Sequence, residues 1–467
     1  MKGVASSGHR RATDAALRML QLGGNAFDAI LSAAFVSCSL ELSLNSLGGG
    51  GFLLGHRTDE KKDFILDFFV NHPGMNAPSL LRPRAEEAIV NYGGTGQLYH
   101  VGVGSLGVHG TMRGFQKLYA EYCTLDLDVI ISPTIEALER GIELSPSLES
   151  FLQSMKPIID ASKYGINHFH EKQGRHFNPL LKEFLELSSF DAWIETLYEG
   201  AGTEQFLEEV EGAITQEDLL NYRVEEREPL TYPYKDYIIV TNCEPSIGGS
   251  AVRRGLEESL AEDVSKMDQL EKSIYRAEIL RDLQPVFATS GTTHLNTLDS
   301  MGNVASMSLS IGTCSGYFYP NTGILMNNMM GEEDLHLAYG QSRRPGSRIC
   351  SMMAPTFIRK NGELTAAFGT GGSNRIRSAV LQFIWNLLDE GMSLKDAIEA
   401  PRLHFSEKGS LQIEPFHSKE LETVMTLRYP DHRVWDIKHF YFGGVHSISG
   451  DYNGWGDSRR DGSYNQL

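Results

Sequence analysis

A chain of 467 residues, 41% hydrophobic and 22% charged, carries enough apolar material for a large buried core and excludes a disordered or low-complexity protein. Its net charge of −18, with no cluster of lysine and arginine, argues against nucleic acid and anionic membranes as partners. No window reaches the ~18 uninterrupted apolar residues of a membrane span, and residues 1–10 lack the apolar centre of a secretory signal, so the expected location is the cytoplasm.

Residues 11–22 have the apolar spacing of an amphipathic helix, stopped by Gly23 and Gly24. Asn25 can cap a second helix from Ala26 to about Ser39, whose small residues (Ala29, Ser32, Ala33, Ala34, Ser37) suit close burial. It ends towards Glu41, and the glycine run Gly48 to Gly51 follows, leading into a predicted hairpin of strands over 52–56 and 63–70. Four glycines could cradle a phosphate. No P-loop lysine follows them, so the run reads as a tight backbone approach at a helix–strand junction. Residues 102–107 spell GxGxxG, but 93–97 before it look like a loop and the next helix begins only at about Thr111. That is not the βαβ setting of a dinucleotide site. Residues 111–275 read as mainly helical with solvated glutamate-rich faces. His168 and His170 have a spacing that would serve a metal on a strand; without a carboxylate or thiol beside them they read as a surface loop. The five cysteines (Cys38, Cys123, Cys243, Cys314, Cys350) are scattered and contain no CxxC, which argues for small buried hydrophobes over disulfides or zinc.

Two runs of small and apolar residues, 291–298 and 304–310, flank the polar turn 299–303, where Gly302 supplies positive φ. This is a β-hairpin pattern. Thr292 follows Gly291 at its start. Cleavage between them would free an α-amine of pKa roughly 7.7–8.0, able to act as general base for its own Oγ. Gly-Thr-Thr is equally ordinary at a strand edge. Residues 323–328 read as a strand, followed by Met329, Met330, Gly331 and the acidic triplet Glu332, Glu333, Asp334. A further hairpin, 351–358 with 364–369, runs through Thr370, Gly371 and Gly372 into a helix over about 376–389. Adjacent glycines at such a turn expose N–H groups to an anion or oxyanion, or simply allow a tight turn.

Thr292-Thr293-His294, followed by Asp299 and Gly302-Asn303, resembles the start of the small subunit of γ-glutamyltransferases. Val4-Ala5-Ser6-Ser7, Gly23-Gly24-Asn25-Ala26-Phe27-Asp28-Ala29 and Leu47 with its four glycines and Phe52 are similar to the large-subunit opening of the same family. Residues 457–462 resemble its C-terminus, so the chain is expected to be complete. The resemblance implies an N-terminal-nucleophile hydrolase fold, an α/β (α+β) four-layer α/β/β/α sandwich. It implies one precursor cleaved before Thr292 into a large region, 1–291, and a small region, 292–467, which remain associated as one folded unit. Thr292 is then the nucleophile, its amine the base, and Ser310 stands where a threonine bonds that amine. Gly371 and Gly372 supply oxyanion N–H groups. Glu332 stands where an aspartate holds the substrate α-amine, and Ser351 where a serine contacts the α-carboxylate. No metal or cofactor is implied; the expected partners are a small-molecule amide donor and water or an amine as acceptor.

The departures from the family pattern lie in the donor pocket. Phe69 replaces the arginine that clamps the carboxylate, while Met329, Gly312 and Met352 stand for a glutamine, an asparagine and a second serine. Losing the arginine removes about 1.5–3 kcal/mol per charged hydrogen bond. The expected function is therefore transfer or hydrolysis of a γ-glutamyl or related acyl amide, with glutathione-type donors disfavoured. One alternative is an amide hydrolase or acylase with a more apolar donor. Another is a non-enzymatic, unprocessed family member, favoured by Ile311 where a polar residue is expected beside the nucleophile.

Overall fold

The computed structural model describes residues 2–41, 44–77, 85–92, 95–161, 170–172, 175–283, 291–331, 344–406, 408–415 and 418–467. The helix Arg10–Gln21 buries its alanine and leucine face and stops before Gly23, at φ +91°. The helix Ala26–Leu40 begins in a capping box, Asn25 with Asp28, and all of its residues are buried. It is apolar all round because it sits between the first sheet and a second shell of helices, not at the surface.

Two antiparallel sheets form the centre. The first has seven strands in the order Ser463–Gln466, Val4–Ser7, Gly291–Leu298, Val304–Gly312, Gly50–Arg57, Lys62–Asp67 and Glu225–Arg227. The second has six: Gly454–Gly456, Gly444–Ile448, Glu363–Gly371, Thr356–Lys360, Tyr237–Thr241 and Leu230–Tyr234. Gly291–Leu298 packs face to face on Glu363–Gly371. Gly369 leaves room there for the His294 ring, which would lie 2.3 Å from any added methyl. The helices Arg10–Gln21 and Ala26–Leu40 cover the outer face of the first sheet, while Gly248–Ser259 and Arg375–Ile384 cover the second. One hydrophobic core lies under each helical layer, so the chain is the four-layer α/β/β/α sandwich.

The glycine run is a close backbone approach. Gly50 pairs with Ser310, and a methyl on Gly49 or Gly51 would come within 2.2 or 2.4 Å of the Ser310 or Ser308 carbonyl. Three sequence readings need correction. Residues before Gly102 form a strand, Thr95–Val101, paired antiparallel with Glu86–Tyr92; it is a hairpin, so the GxGxxG still has no βαβ unit around it. The stretch read as mainly helical up to 275 contains the strands Glu225–Arg227, Leu230–Tyr234 and Tyr237–Thr241; the charged first and proline-containing second lie at sheet edges, and the apolar third lies inside the second sheet. Residues 323–328 make only isolated bridges, Gly48 with Met326 and Phe318 with Leu325. His168 lies outside the described residues, and His170 opens the short strand His170–Lys172.

Candidate active site

The hairpin register sets the site. Gly291 pairs with Gly312 and Thr293 with Leu309, so the single residue Thr292 faces two, Ser310 and Ile311, at a bulge in the partner strand. A bulge re-aims one side chain while the ladder continues on both sides. The Thr292 hydroxyl donates to Ser310 Oγ at 3.3 Å, and Ser310 Oγ donates to the Gly291 carbonyl and accepts from Gly312 N at 3.1 Å. A hydroxyl thus links the side chain of Thr292 to the carbonyl that precedes it. Thr292 is 3% exposed.

The second sheet supplies the opposite wall. A methyl on Gly371 would lie 1.9 Å from the Thr292 carbonyl oxygen, so only glycine permits this approach. Gly372 has φ +126°, and its carbonyl accepts from Arg375 N as the Arg375–Ile384 helix begins. Arg460 reaches between the two sheets and donates to the Thr292 carbonyl at 3.1 Å. Behind the nucleophile runs a buried polar ladder: His294 bonds Ser308 at 2.8 Å and Asn296 at 3.0 Å, and Asn296 donates to Ser6 and the His446 carbonyl. Burial pushes His294 down to about 3, so its ring is neutral.

The donor-pocket residues divide. Phe69, Met329 and Met352 are all buried in the second core, with Phe69 stacked on Phe52 at 5.4 Å. Phe69 and Met329 reach the central hairpin through neighbouring residues. A methyl on Gly50, the partner of Ser310, would lie 2.9 Å from the Phe69 Cα; Asn328, next to Met329, donates to the Ile311 carbonyl. Ser351 is buried, its hydroxyl accepting from Met353 N at 3.1 Å and its carbonyl from Ile247 N at 2.8 Å. Glu332 lies outside the described residues. The guanidinium nearest this region in sequence, Arg348, bonds Asp67 through Nε at 2.8 Å and the Asp67 and Arg223 carbonyls through Nη2.

The sequence matches the Gamma-glutamyltranspeptidase family model over residues 12–257 and 250–467. The chain belongs to the gamma-glutamyltranspeptidase family. The Acylase ACY 1 proenzyme of Pseudomonas sp. (strain SE83) is 26% identical over 474 residues, covering 88% of this chain and 84% of its own. The glutathione hydrolase proenzyme of Bacillus subtilis (strain 168) is 24% identical over 542 residues, covering 99% of this chain and 91% of its own. The crystal structure of cephalosporin acylase from Bacillus halodurans shares the fold, with a TM-score of 0.81 at 21% identity over 99% of this chain and 95% of that one. This gamma-glutamyltranspeptidase family is one of enzymes, and the relatives are proenzymes. Among the described residues no helix is long and apolar enough to cross a membrane.

Sequence reasoning did not single out Arg460 or Glu41. Arg460 was visible only as part of a C-terminal motif, and nothing in Arg459-Arg460 tells which of the two faces the nucleophile. Arg459 is engaged instead in a buried network with Glu414 and Asp457. Glu41 did leave a signal: a carboxylate at a helix C-terminus opposes the helix dipole.

Proposed function

We propose that this protein cleaves itself before Thr292 and then uses Thr292 as an N-terminal nucleophile to hydrolyse or transfer acyl amides. One observation carries the reading: the Thr292 hydroxyl, the Ser310 hydroxyl and the Gly291 carbonyl form one hydrogen-bonded series at a strand bulge. In the precursor, Thr292 Oγ attacks the Gly291 carbonyl carbon while Ser310 polarises its oxygen. The Oγ proton passes to the departing Thr292 nitrogen, and water hydrolyses the resulting ester. The freed α-amine then takes the Oγ proton when Thr292 attacks a substrate amide, and delivers it to the leaving amine. Water or an amine releases the acyl group from Oγ. Gly371 and Gly372 offer backbone N–H groups to the oxyanion, and Ser310 keeps the amine in place.

Cleavage there would give fragments 1–291 and 292–467, the large and small regions. Their strands alternate in the first sheet, where Val4–Ser7 and Gly50–Arg57 flank the central hairpin, so the fragments stay together as one unit. Denaturing gels with N-terminal sequencing test this: two fragments are expected, the smaller beginning at Thr292, and Thr292→Ala should remain a single, inactive chain. An active enzyme with this bond intact would sink the reading.

A second reading concerns the donor. Phe69, Met329 and Met352 form an apolar cluster where a γ-glutamyl group would need polar partners. Donors with a more apolar acyl group are therefore favoured over glutathione-type donors.

A further inference from the structure

Where the Ala26–Leu40 helix ends, Glu41 turns towards the nucleophile strand and is 2% exposed. One carboxylate oxygen accepts from Ser37 Oγ at 2.9 Å and Asn45 Nδ2 at 3.2 Å. The other, Oε1, is buried with no hydrogen-bond partner among the described residues, and a methyl added to Gly8 would lie 2.9 Å from it and 2.9 Å from Thr293 Oγ1. Arg460 lines the same cavity, of about 170 Å³. Its Nη1 donates to the Thr292 carbonyl at 3.1 Å and its guanidinium lies 3.9 Å over the Phe440 ring. Arg460 Nε has no hydrogen-bond partner among the described residues. One charge therefore holds the carbonyl of Thr292, and the other faces the same small cavity with one oxygen unpartnered.

We propose that Glu41 is a positioning residue for the nucleophile: its carboxylate compensates Arg460, and Arg460 in turn fixes the Thr292 backbone from which the attacking hydroxyl projects. The inference rests on Thr292 being the nucleophile. A buried cation that loses its compensating charge is driven towards water or another anion. Protonating Glu41 therefore loosens the grip of Arg460 on the Thr292 carbonyl.

The surroundings make Glu41 the group that titrates near neutrality. Burial raises its carboxyl to about 7, against the lowering effect of Thr293, Ser37 and Arg460. Burial and Arg375 hold Arg460 down to about 9, against the opposing charges of Asp457 and then Glu41, so it is still a cation at neutral pH. Asp461, bonded to Ser145, adds a negative charge at the cavity edge, as does Glu143. From the start of the first helix, Arg10 lines the cavity beside His9, which burial holds near 4. From the second sheet, His446 faces Gly8 and is also neutral, pushed by burial to about 4. Cys38, one turn back on the helix, stays a thiol because burial raises it.

Precursor cleavage is the cleanest readout, because the precursor has no free amine at Thr292 to add its own titration. Full-length chain from cell-free synthesis is transferred to buffers from pH 5.5 to 8.5, and cleavage of the 291–292 bond is followed on denaturing gels. The rate of the unaltered chain should fall about tenfold per pH unit below about 7, as expected for one essential ionised group. Glu41→Gln should run slower than the unaltered plateau by roughly tenfold and lose this limb. A Glu41→Gln chain that keeps the limb overturns the inference. If that variant shows no cooperative melt, Arg460→Lys decides: the limb midpoint should rise, since a weaker cation contact leaves Glu41 easier to protonate, and an unmoved midpoint overturns the inference. Thr292→Ala should stay intact at every pH. Its cleavage would instead defeat the assignment of the nucleophile.

Discussion

At the residue scale, Gly371 faces the Thr292 carbonyl where only glycine fits. A single methyl there meets backbone at 1.9 Å, and backbone in the middle of two paired sheets cannot step aside. Gly371→Ala should therefore lower both cleavage of the precursor and amide turnover by about 10²-fold or more, the scale seen when an oxyanion donor is lost. The melting temperature should drop as well; unchanged kinetics would remove Gly371 from the site. Much at this scale was legible in the residues. A hydroxyl after glycine at a strand start, and paired glycines at a strand-to-helix turn, carry their chemistry in short local patterns. Glu41 and Arg460 do not, because their roles come from contacts across more than 250 and 160 residues of chain. Only the folded sheet pair brings them together.

At the element scale, the central hairpin is a polar spine inside an apolar sandwich. Its inward positions alternate Thr292, His294 and Asn296 on one strand with Ser306, Ser308 and Ser310 on the other, all buried. The period of two made the hairpin readable, whereas the edge strands Glu225–Arg227 and Leu230–Tyr234 were hidden by charges, a proline and their shortness. Buried neutral histidines give the fold a pH dependence. His294 and His109 are held by burial at about 3, and His446 at about 4. Their unfolded values lie near 6.5, so the unfolded chain binds more protons below that point. The stability they contribute is complete above about 6.5 and falls as pH drops towards 4, by about 1.4 kcal/mol per pH unit for each histidine. The His109 ring packs against that of Tyr198, centroids 4.6 Å apart and tilted by 36°, and a phenylalanine ring keeps that shape without a titrating nitrogen. In urea unfolding between pH 4.5 and 6.5, His109→Phe should show a pH slope shallower by one such increment. An identical slope would mean that the ring is solvated or charged in the native state.

At the scale of the whole molecule, the proposed donor pocket draws on segments far apart in sequence. Phe69 follows the strand Lys62–Asp67. Gly312 closes the nucleophile hairpin, Met329 follows the bridged segment after it, and Ser351 and Met352 precede the second sheet. A sequence comparison can align each position, but only the fold shows that Phe69, Met329 and Met352 share one core. The same packing sets what an arginine at position 69 would meet. Asp67, the nearest carboxylate, already accepts from Arg348 at 2.8 Å and Arg227 at 2.8 Å. A new guanidinium would be buried without an anion of its own, costing several kcal/mol. A substrate carboxylate would be the partner that relieves it. Phe69→Arg should therefore melt at lower temperature than the unaltered protein and be restabilised by a γ-glutamyl ligand, while an apolar acyl ligand gives no such recovery. Its kcat/KM should shift towards the γ-glutamyl donor relative to a phenylacetyl-type amide by about tenfold or more, one to two kcal/mol of discrimination. The unaltered protein should prefer the apolar donor. If it turns over glutathione as efficiently, or if Phe69→Arg leaves the ratio unmoved, then the acyl group is not recognised at Phe69 and the apolar-donor reading fails.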